Sequence, residues 1–278
     1  MNHKISVLTT IFPMPKEYLD DFFVSLQKQT CKNFDVIVVN DGYDNFHDIK
    51  AEYGSLNIIE LNYSDTPAKN REFGINYVKS NQYEVLILGD SDDYFSSNRI
   101  QVSIDKLKTC DVLVNDITLF DKEGAYDAHY FSKRIKNNDV IGIDYIKDKN
   151  IFGLSNTALR VKAIGRLGFA ADLVAVDWFF FSVLLSEGKK AVFTNEAITF
   201  YRQYVGNITG LGKVTGESIL NGIDVKLKHY QLMKKGNHQF EGLYQDMVGA
   251  CDNVDLSRVS KLNCQNLFWW EVPEGIMQ

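Results

Sequence analysis

The sequence lacks several features, and each absence removes a class of protein. No uninterrupted apolar run approaches the roughly 20 residues that a membrane-spanning helix requires. The longest, such as Trp178 to Leu185, have only the length of core segments. The four cysteines, Cys31, Cys110, Cys251 and Cys264, are widely spaced and form no CxxC pair, which argues against metal or dithiol chemistry. The start carries no signal-peptide pattern, so the thiols are expected to be reduced and the protein cytoplasmic. Basic charge is also short: 30 Lys and Arg stand against 36 Asp and Glu, for a net charge of −6. A nucleic-acid binder needs a basic face to replace phosphate counterions, so no nucleic acid is expected as a partner. The five histidines, His3, His47, His129, His229 and His238, show no ligand spacing and are expected at the surface. No G-x-G-x-x-G follows the first strand, which excludes a dinucleotide dehydrogenase, and no Gly-rich, Arg-Lys phosphate loop marks a nucleotidyltransferase. There is no internal repeat and no low-complexity tract.

What remains is an ordinary globular composition, 45% hydrophobic and 24% charged over 278 residues. That length suits one large domain, or one domain with an appendage. Aromatic residues make up 13%, enough for a packed core or for a site that stacks rings or sugars.

Apolar periodicity predicts the architecture. Strands are expected at 5–10, 34–39, 56–61 and 84–88, with helices at 17–29 and from Pro67 onward, where a missing N–H is tolerated. Strand and helix alternating in units of about thirty residues imply a mostly parallel sheet covered on both faces. Ligands of such sheets bind beyond the carboxyl ends of the strands, and here those ends carry Thr10, Asp41 and the run Asp90 to Asp93. Further on, strands are predicted at 111–115 and 191–193 and a buried helix at 178–186, with a polar hairpin or loop and a short helix between 121 and 150. Gly206, Gly210, Gly212 and Gly216 suggest a boundary near 210, dividing a catalytic domain, 1–210, from a mostly helical extension, 211–278.

The strongest chemical feature is Leu88-Gly89-Asp90-Ser91-Asp92-Asp93 at the end of an apolar strand. Three carboxylates this close repel one another unless something positive sits among them. A hard divalent cation, Mn²⁺ or Mg²⁺, takes oxygen ligands and leaves positions for phosphate oxygens. The alternative is an acidic turn that caps the next helix.

With this motif in place the chain resembles the family 2 glycosyltransferases, which have the GT-A fold, an αβα sandwich, and use inverting chemistry. Ser6 to Thr10 is similar to the family's opening strand, and Ser25-Leu26-Gln27-Lys28-Gln29-Thr30 to its S-hydrophobic-x-x-Q-T helix end. Phe34 to Gly42 resembles the strand that ends in a D-D-G turn, Pro67 to Arg71 the A-R-N-x-G segment, and Leu86 to Asp93 the hydrophobic-D-x-D-D metal motif. The resemblance is close over residues 4–100, patchier to about 205, and absent beyond. It implies that Thr10 and Phe12 line the base pocket, Phe12 stacking on the nucleobase. Asp41 would accept from the ring N–H of the base, which favours uracil. Arg71 would lie near the base or diphosphate, Asp90 at the ribose and Arg202 at the diphosphate, with Ser91 also among the nucleotide-binding residues. Asp92, with Asp93 close by, would hold the metal. Asn40 stands where the family has an acid, Tyr43 replaces a Ser, Phe12-Pro13 replaces Tyr-Asn, and Tyr204 replaces a His.

Inverting transfer needs a general base for the acceptor hydroxyl. Asp177, in Ala175-Val176-Asp177-Trp178, resembles the family's acid at the start of a helix, and its place beside Trp178 would raise its pKa by desolvation. An N-cap role for the same residue is the alternative, and both roles could hold at once. Gly153 to Thr157 resembles the acceptor-side strand, and Tyr201 to Thr209 the family's closing segment. The expected partners are a UDP-sugar and a saccharide or lipid-linked acceptor. The tail has five lysines between Lys213 and Lys235 and ends in Leu267-Phe268-Trp269-Trp270. It is expected to fold back on the catalytic domain, with inner-membrane contact or oligomerisation as alternatives. A degenerate protein that binds a nucleotide-sugar or a partner without chemistry would have lost the carboxylates, yet Asp92, Asp93 and Asp177 are all present.

Overall fold

A computed structural model describes residues 4–204 and 215–251. The first half is laid down as β1 (Ile5–Ile11), α1 (Lys16–Gln27), β2 (Asp35–Asn40), α2 (Phe46–Glu52), β3 (Asn57–Asn62), α3 (Pro67–Ser80), β4 (Val85–Leu88), β5 (Tyr94–Phe95) and α4 (Arg99–Lys106). The second half continues with β6 (Val112–Asp121), β7 (Gly124–Asp127), β8 (Val140–Ile141), α5 (Ile143–Ile146), β9 (Thr157–Arg160), α6 (Val176–Ser186), β10 (Ala191–Arg202), α7 (Gly216–Met233) and α8 (Gln239–Cys251).

One sheet runs in the order β3-β2-β1-β4-β9-β6-β10-β5, with β7 on β6 and β8 on β10. Strands β3, β2, β1, β4, β6 and β10 point the same way, while β9 and β5 run against them. The sheet is therefore mostly parallel in direction, and β9 is the antiparallel strand that joins its two halves.

The apolar runs are continuous because both faces are covered. Val7, Ile11, Val36 and Val38 face α1, where they pack with Leu19, Phe22, Phe23 and Leu26. Leu8, Ile37 and Val39 face α3, in the same core as Ala68, Ile75 and Val78. Alternation of period two thus feeds two cores from one strand. Gly74 lets α3 lie close: a Cβ there would meet Leu8 Cδ1 at 2.8 Å and Val39 Cγ2 at 2.9 Å.

Helix α6 is apolar nearly all round because it is buried on two sides. Val176, Phe180, Phe181 and Leu184 belong to the core on the sheet. Ala175 and Trp178 belong to a third cluster with Ile219, Ile223, Tyr230 and Met233 of α7 and Phe240 and Met247 of α8. The described part of the extension therefore folds back on α6. Lys228 pairs with Asp172 at 2.5 Å, and Lys234 pairs with Glu241 at 3.4 Å while lying 3.8 Å from the Tyr244 ring centroid, so these two basic groups have partners within the chain. No described helix is long and apolar enough to cross a membrane. The expected boundary at 210, the segment Asn207 to Thr209 and the Leu267–Trp270 aromatic run lie outside the described residues.

One of the histidines expected at the surface is buried. His47, His129 and His238 are exposed, but His229 is fully buried in the third cluster. It lies on the inner face of α7, where a flat ring fits against the Trp178 indole.

Candidate active site

Five chain segments meet at the carboxyl edge of the sheet. Strand β1 delivers Thr10 and Phe12, and β2 delivers Asp41. The loop after β4 carries Asp90 to Asp93, the end of β10 carries Arg202 and Tyr204, and the first turn of α6 carries Asp177. The parallel register of β1 and β2 places Ile11 against Asn40, and the Asp41 N–H donates to the Ile11 carbonyl at 2.8 Å. Phe12 and Asp41 therefore leave the sheet side by side, and Phe12 keeps 44% of its surface exposed. An exposed aromatic ring beside a carboxylate is suited to a planar heterocycle with a ring N–H.

Asp41 is held by α3. The Asn70 Nδ2 donates to Asp41 Oδ2 at 2.7 Å. The next residue, Arg71, donates from Nη2 to Asp90 Oδ1 at 2.5 Å. The departure at Asn40 has a structural reason. Its Nδ2 donates to Glu60 Oε1 at 2.9 Å, and its Oδ1 accepts from the Tyr43 N–H at 2.8 Å. An ionised acid there would face the Glu60 carboxylate instead of bonding to it.

The acidic loop does not cap a helix. It runs into β5, and α4 begins at Arg99 with Asn98 as its cap residue. Within the loop the four residues take different positions. Asp90 and Asp92 are half-buried. Ser91 is buried and donates from Oγ to the Thr10 carbonyl at 2.9 Å, tying the loop to β1 beneath the cleft. Asp93 is also buried. Its Oδ1 accepts from the Arg202 N–H at 2.8 Å, while its Oδ2 finds no partner among the described residues. Asp92 is thus the carboxylate of the pair with access to the cleft, and Tyr204 donates to its Oδ2 at 3.0 Å. The Thr10 hydroxyl is buried and has no hydrogen-bond partner among the described residues.

Arg202 is braced on several sides. Its Nε donates to the Asp92 carbonyl at 2.6 Å and its Nη2 to Asp21 Oδ2 at 2.5 Å. Its guanidinium lies 4.3 Å from the Tyr18 ring centroid and 4.5 Å from that of Phe120. Arg99, whose role sequence reasoning did not foresee, is a buried cation below the loop. Its Nη2 donates to the Leu88 carbonyl at 2.6 Å and its Nε to Asn115 Oδ1 at 3.2 Å. Burial pulls its pKa down to about 9, opposed by the charges of Asp93 and Asp90, so it stays protonated at neutral pH.

The electrostatics fit a bound cation. Burial, and then the Asp90 charge, hold Asp92 above its usual pKa, with the Tyr204 hydroxyl opposing. Burial, followed by the charges of Asp92 and Asp90, pushes Asp93 well above the usual range. Negative charge here exceeds what Arg71 and Arg99 compensate. The donors are all hard oxygens, which suits Mn²⁺ or Mg²⁺. No group of three or more His, Cys, Asp or Glu forms a cage among the described residues. A Mg²⁺-type ion needs none, because one or two carboxylates plus substrate phosphates complete its shell.

Asp177 lies across the cleft in the first turn of α6. The cap position belongs to Ala175, so the N-cap alternative does not hold. Its Oδ1 accepts from the Trp178 N–H at 2.7 Å, and the buried Asn150 amide favours the charged form of the carboxyl. Part of Asp177 remains open to solvent, but protein surrounds it on most sides. Desolvation, helped by the Asp90 charge and opposed by the Trp178 N–H, the Asn150 amide and Arg71, pushes its pKa up to about 6. The Trp178 indole, fully buried, donates from Nε1 to the Ile146 carbonyl at 2.6 Å and locks this turn in place.

Gly153 to Asn156 form a turn before β9. Ser155 accepts through Oγ from the Asp90 N–H at 3.3 Å, and Asn156 Nδ2 donates to the Asn115 carbonyl at 2.9 Å. That turn supports the acidic loop directly. Asn70 lies within the Pro67–Arg71 segment that resembles the family, whereas nothing in the sequence marks Asn150.

The profile of glycosyl transferase family 2 matches residues 6–166, more than half the chain. The chain belongs to that family. Its sequence is 26% identical over 134 residues to the uncharacterized glycosyltransferase YwdF of Bacillus subtilis (strain 168), a match covering 42% of this chain and 48% of YwdF. The chain thus aligns with about half the length of that curated relative. Among solved structures, residues 1–349 of TarS from S. aureus in complex with UDP-GlcNAc superpose with a TM-score of 0.62 at 18% identity, covering 88% of this chain and 72% of that one. The mannosyltransferase PcManGT of Pyrobaculum calidifontis, in complex with GDP-Man and Mn²⁺, gives 0.58 at 12% identity, covering 84% and 65%. At such identities the likeness carries the fold, and the fold is the GT-A αβα sandwich with helices after it. The family match ends before Asp177, Arg202 and Tyr204, which are placed by the structure alone.

Proposed function

We propose that this family 2 member is an inverting glycosyltransferase that moves a sugar from a UDP-sugar to an acceptor hydroxyl, with Mn²⁺ or Mg²⁺ at Asp92. The observation that carries the reading is that Asp177, a carboxyl with pKa pushed up to about 6, shares one cleft with the Arg71–Asp90 pair and the half-buried Asp92. Phe12 stacks on the base, and Asp41 accepts its ring N–H. Thr10 lines the base pocket, and Asp90, oriented by Arg71, meets the ribose. Asp93 and Ser91 hold the loop from beneath, while Arg202 fixes the Asp92 backbone next to the diphosphate. When bound, the metal neutralises charge on the diphosphate as it leaves.

On the other side Asp177 takes the proton of the acceptor hydroxyl. As that oxygen forms its bond to the anomeric carbon, the bond from that carbon to the diphosphate oxygen breaks on the opposite face, and the configuration inverts. A base with a pKa near neutrality suits this task, because it is ionised at working pH yet basic enough to accept the proton. The acceptor is a saccharide or a lipid-linked sugar of surface polysaccharide or glycolipid synthesis.

Calorimetric titration with UDP, GDP, CDP and dTDP, each with and without Mn²⁺, tests the donor side. Tightest binding of UDP, dependent on Mn²⁺, is expected. No binding of any of the four would overturn the reading.

A further inference from the structure

Asn70 is 1% exposed, and every hydrogen-bonding group of its amide is used. Its Oδ1 accepts from the Asp65 N–H at 3.1 Å. Its Nδ2 donates both to the Asp65 carbonyl at 3.1 Å and to Asp41 Oδ2 at 2.7 Å. The amide cannot be flipped. The Asp65 N–H can only donate and its carbonyl can only accept, so oxygen and nitrogen each have one possible place. The segment around Asp65 is itself fixed, because the Thr66 N–H donates to Asp65 Oδ1 at 2.7 Å and Thr66 caps α3 through its side chain.

The consequence falls on Asp41. One of its oxygens, Oδ2, is permanently occupied by an N–H donor. The other, Oδ1, accepts no hydrogen bond among the described residues. Asp41 is half-buried, beside exposed Phe12. A carboxylate with one oxygen tied down offers a single acceptor in a single direction, whereas a free carboxylate rotates and accepts from several. Asn70 thereby turns a general anion into a directional reader of one N–H.

We infer that Asn70 is a positioning residue for base selection: it aims Asp41 so that the site accepts a base with a ring N–H, such as uracil, and rejects one with a bare ring nitrogen, such as cytosine. The inference rests on the reading of Asp41 as the base-contacting residue. A bare ring nitrogen facing the fixed oxygen places two acceptors together and leaves a buried group unpaired, which is how polar sites discriminate. Without Asn70 the carboxylate turns, and water can bridge it to either base.

The test compares UDP and CDP, which differ in the base alone, by calorimetry in the presence of Mn²⁺, using the full chain and its variants Asn70→Ala, Asn70→Ser and Asp41→Asn. The full chain should prefer UDP by about tenfold or more. Asn70→Ala should cut that preference at least about threefold, mostly by improving CDP relative to UDP. Asn70→Ser keeps a hydroxyl for the Asp65 N–H but cannot reach Asp41, so it should show the same loss and serves if Asn70→Ala does not fold. Asp41→Asn should narrow or reverse the preference, because its amide can donate to cytosine. An unchanged preference in the folded Asn70 variants, with an altered one in Asp41→Asn, overturns the role of Asn70 alone. An unchanged preference in Asp41→Asn, or no nucleotide binding by the full chain, overturns the base-contact reading and this inference with it.

Discussion

Trp178 and His229 stack face to face, their ring centroids 3.7 Å apart and their planes 2° from parallel. The contact joins the helix that carries Asp177 to the C-terminal helices, and it is completed by the Phe240 and Tyr230 rings edge-on to His229. Both imidazole nitrogens are buried without a hydrogen-bond partner among the described residues. The ring is therefore held as a neutral aromatic, and charging it in place is unfavourable.

That contact makes stability depend on pH. Burial lowers the His229 pKa from its usual 6.5 to about 3. The folded state thus favours the neutral ring, and this contribution is complete above pH 6.5 and is lost as pH falls from 6.5 toward 3. At pH 5.5 the loss is on the order of 1 kcal/mol, a few degrees in melting temperature for a chain of this size. Asp177 acts in the opposite sense, since its raised pKa means that the folded state favours the protonated carboxyl below pH 6. The measurement is therefore a difference: melting curves of the wild type and His229→Phe between pH 5 and 8. The gap between them should change below pH 6.5 and stay constant above it. Parallel curves throughout would show that His229 is solvated.

Turnover should follow Asp177 in its carboxylate form. The rate of transfer is expected to rise with pH through an apparent pKa near 6, the value to which burial pushes this group. Asp177→Asn retains the oxygen that accepts from the Trp178 N–H, so the turn should keep its shape. It should bind donor as the wild type does and lose about 10²- to 10⁴-fold in transfer. A fully active Asp177→Asn enzyme would move the base elsewhere.

Asp92→Ala tests the metal. The half-buried Asp92 is the carboxylate through which the acidic loop reaches the cleft, while Asp93 is turned inward on the Arg202 N–H. Titration of Mn²⁺ into the protein saturated with UDP should show binding for the wild type and none for the variant. Transfer should disappear in EDTA and return with Mn²⁺ in the wild type alone. Full activity of the wild type in EDTA would end the metal assignment.

What the sequence made legible follows from where the decisive contacts lie. Strands β1, β2 and β4 could be read directly, because both their faces are covered and their apolar runs stop at polar turns. Strand β6 continues to Asp121, past the 115 expected, because Asn115 and Asp116 look like a strand end yet are buried with partners. Asn115 Nδ2 meets Thr199 Oγ1 at 3.1 Å, and Asp116 Oδ1 accepts the N–H groups of Ile117 at 2.9 Å and Phe131 at 2.8 Å. Strand β10 continues to Arg202 because the polar stretch after Phe193 is a bulge, where the register on β6 shifts between Thr194 and Ile198. The carboxylates of the site are visible as motifs, and Asn70 lies within one of them, whereas the buried Arg99 and Asn150 are not. A residue that acts on groups far from it in the chain leaves no local pattern. The burial of His229 is equally hidden, since nothing in its own helix announces the indole above it.

Removal of the C-terminal helices tests whether they support the catalytic domain. A chain ending at residue 210 loses Ile219, Ile223, Tyr230 and Phe240 from the cluster around Trp178, and with them the His229 stack. It also loses Trp269 and Trp270, which leaves Trp178 as its only tryptophan. Fluorescence then reads the uncovered contact directly. In a full-length Trp269→Phe, Trp270→Phe chain, Trp178 is fully buried and should emit at the short wavelengths of an apolar site. In the shortened chain the emission should shift to the red, with a lower melting temperature and loosened Asp177 geometry. Unchanged emission and melting would mean that α6 holds its position against the sheet alone, and that the extension serves an acceptor, a membrane or a second subunit instead.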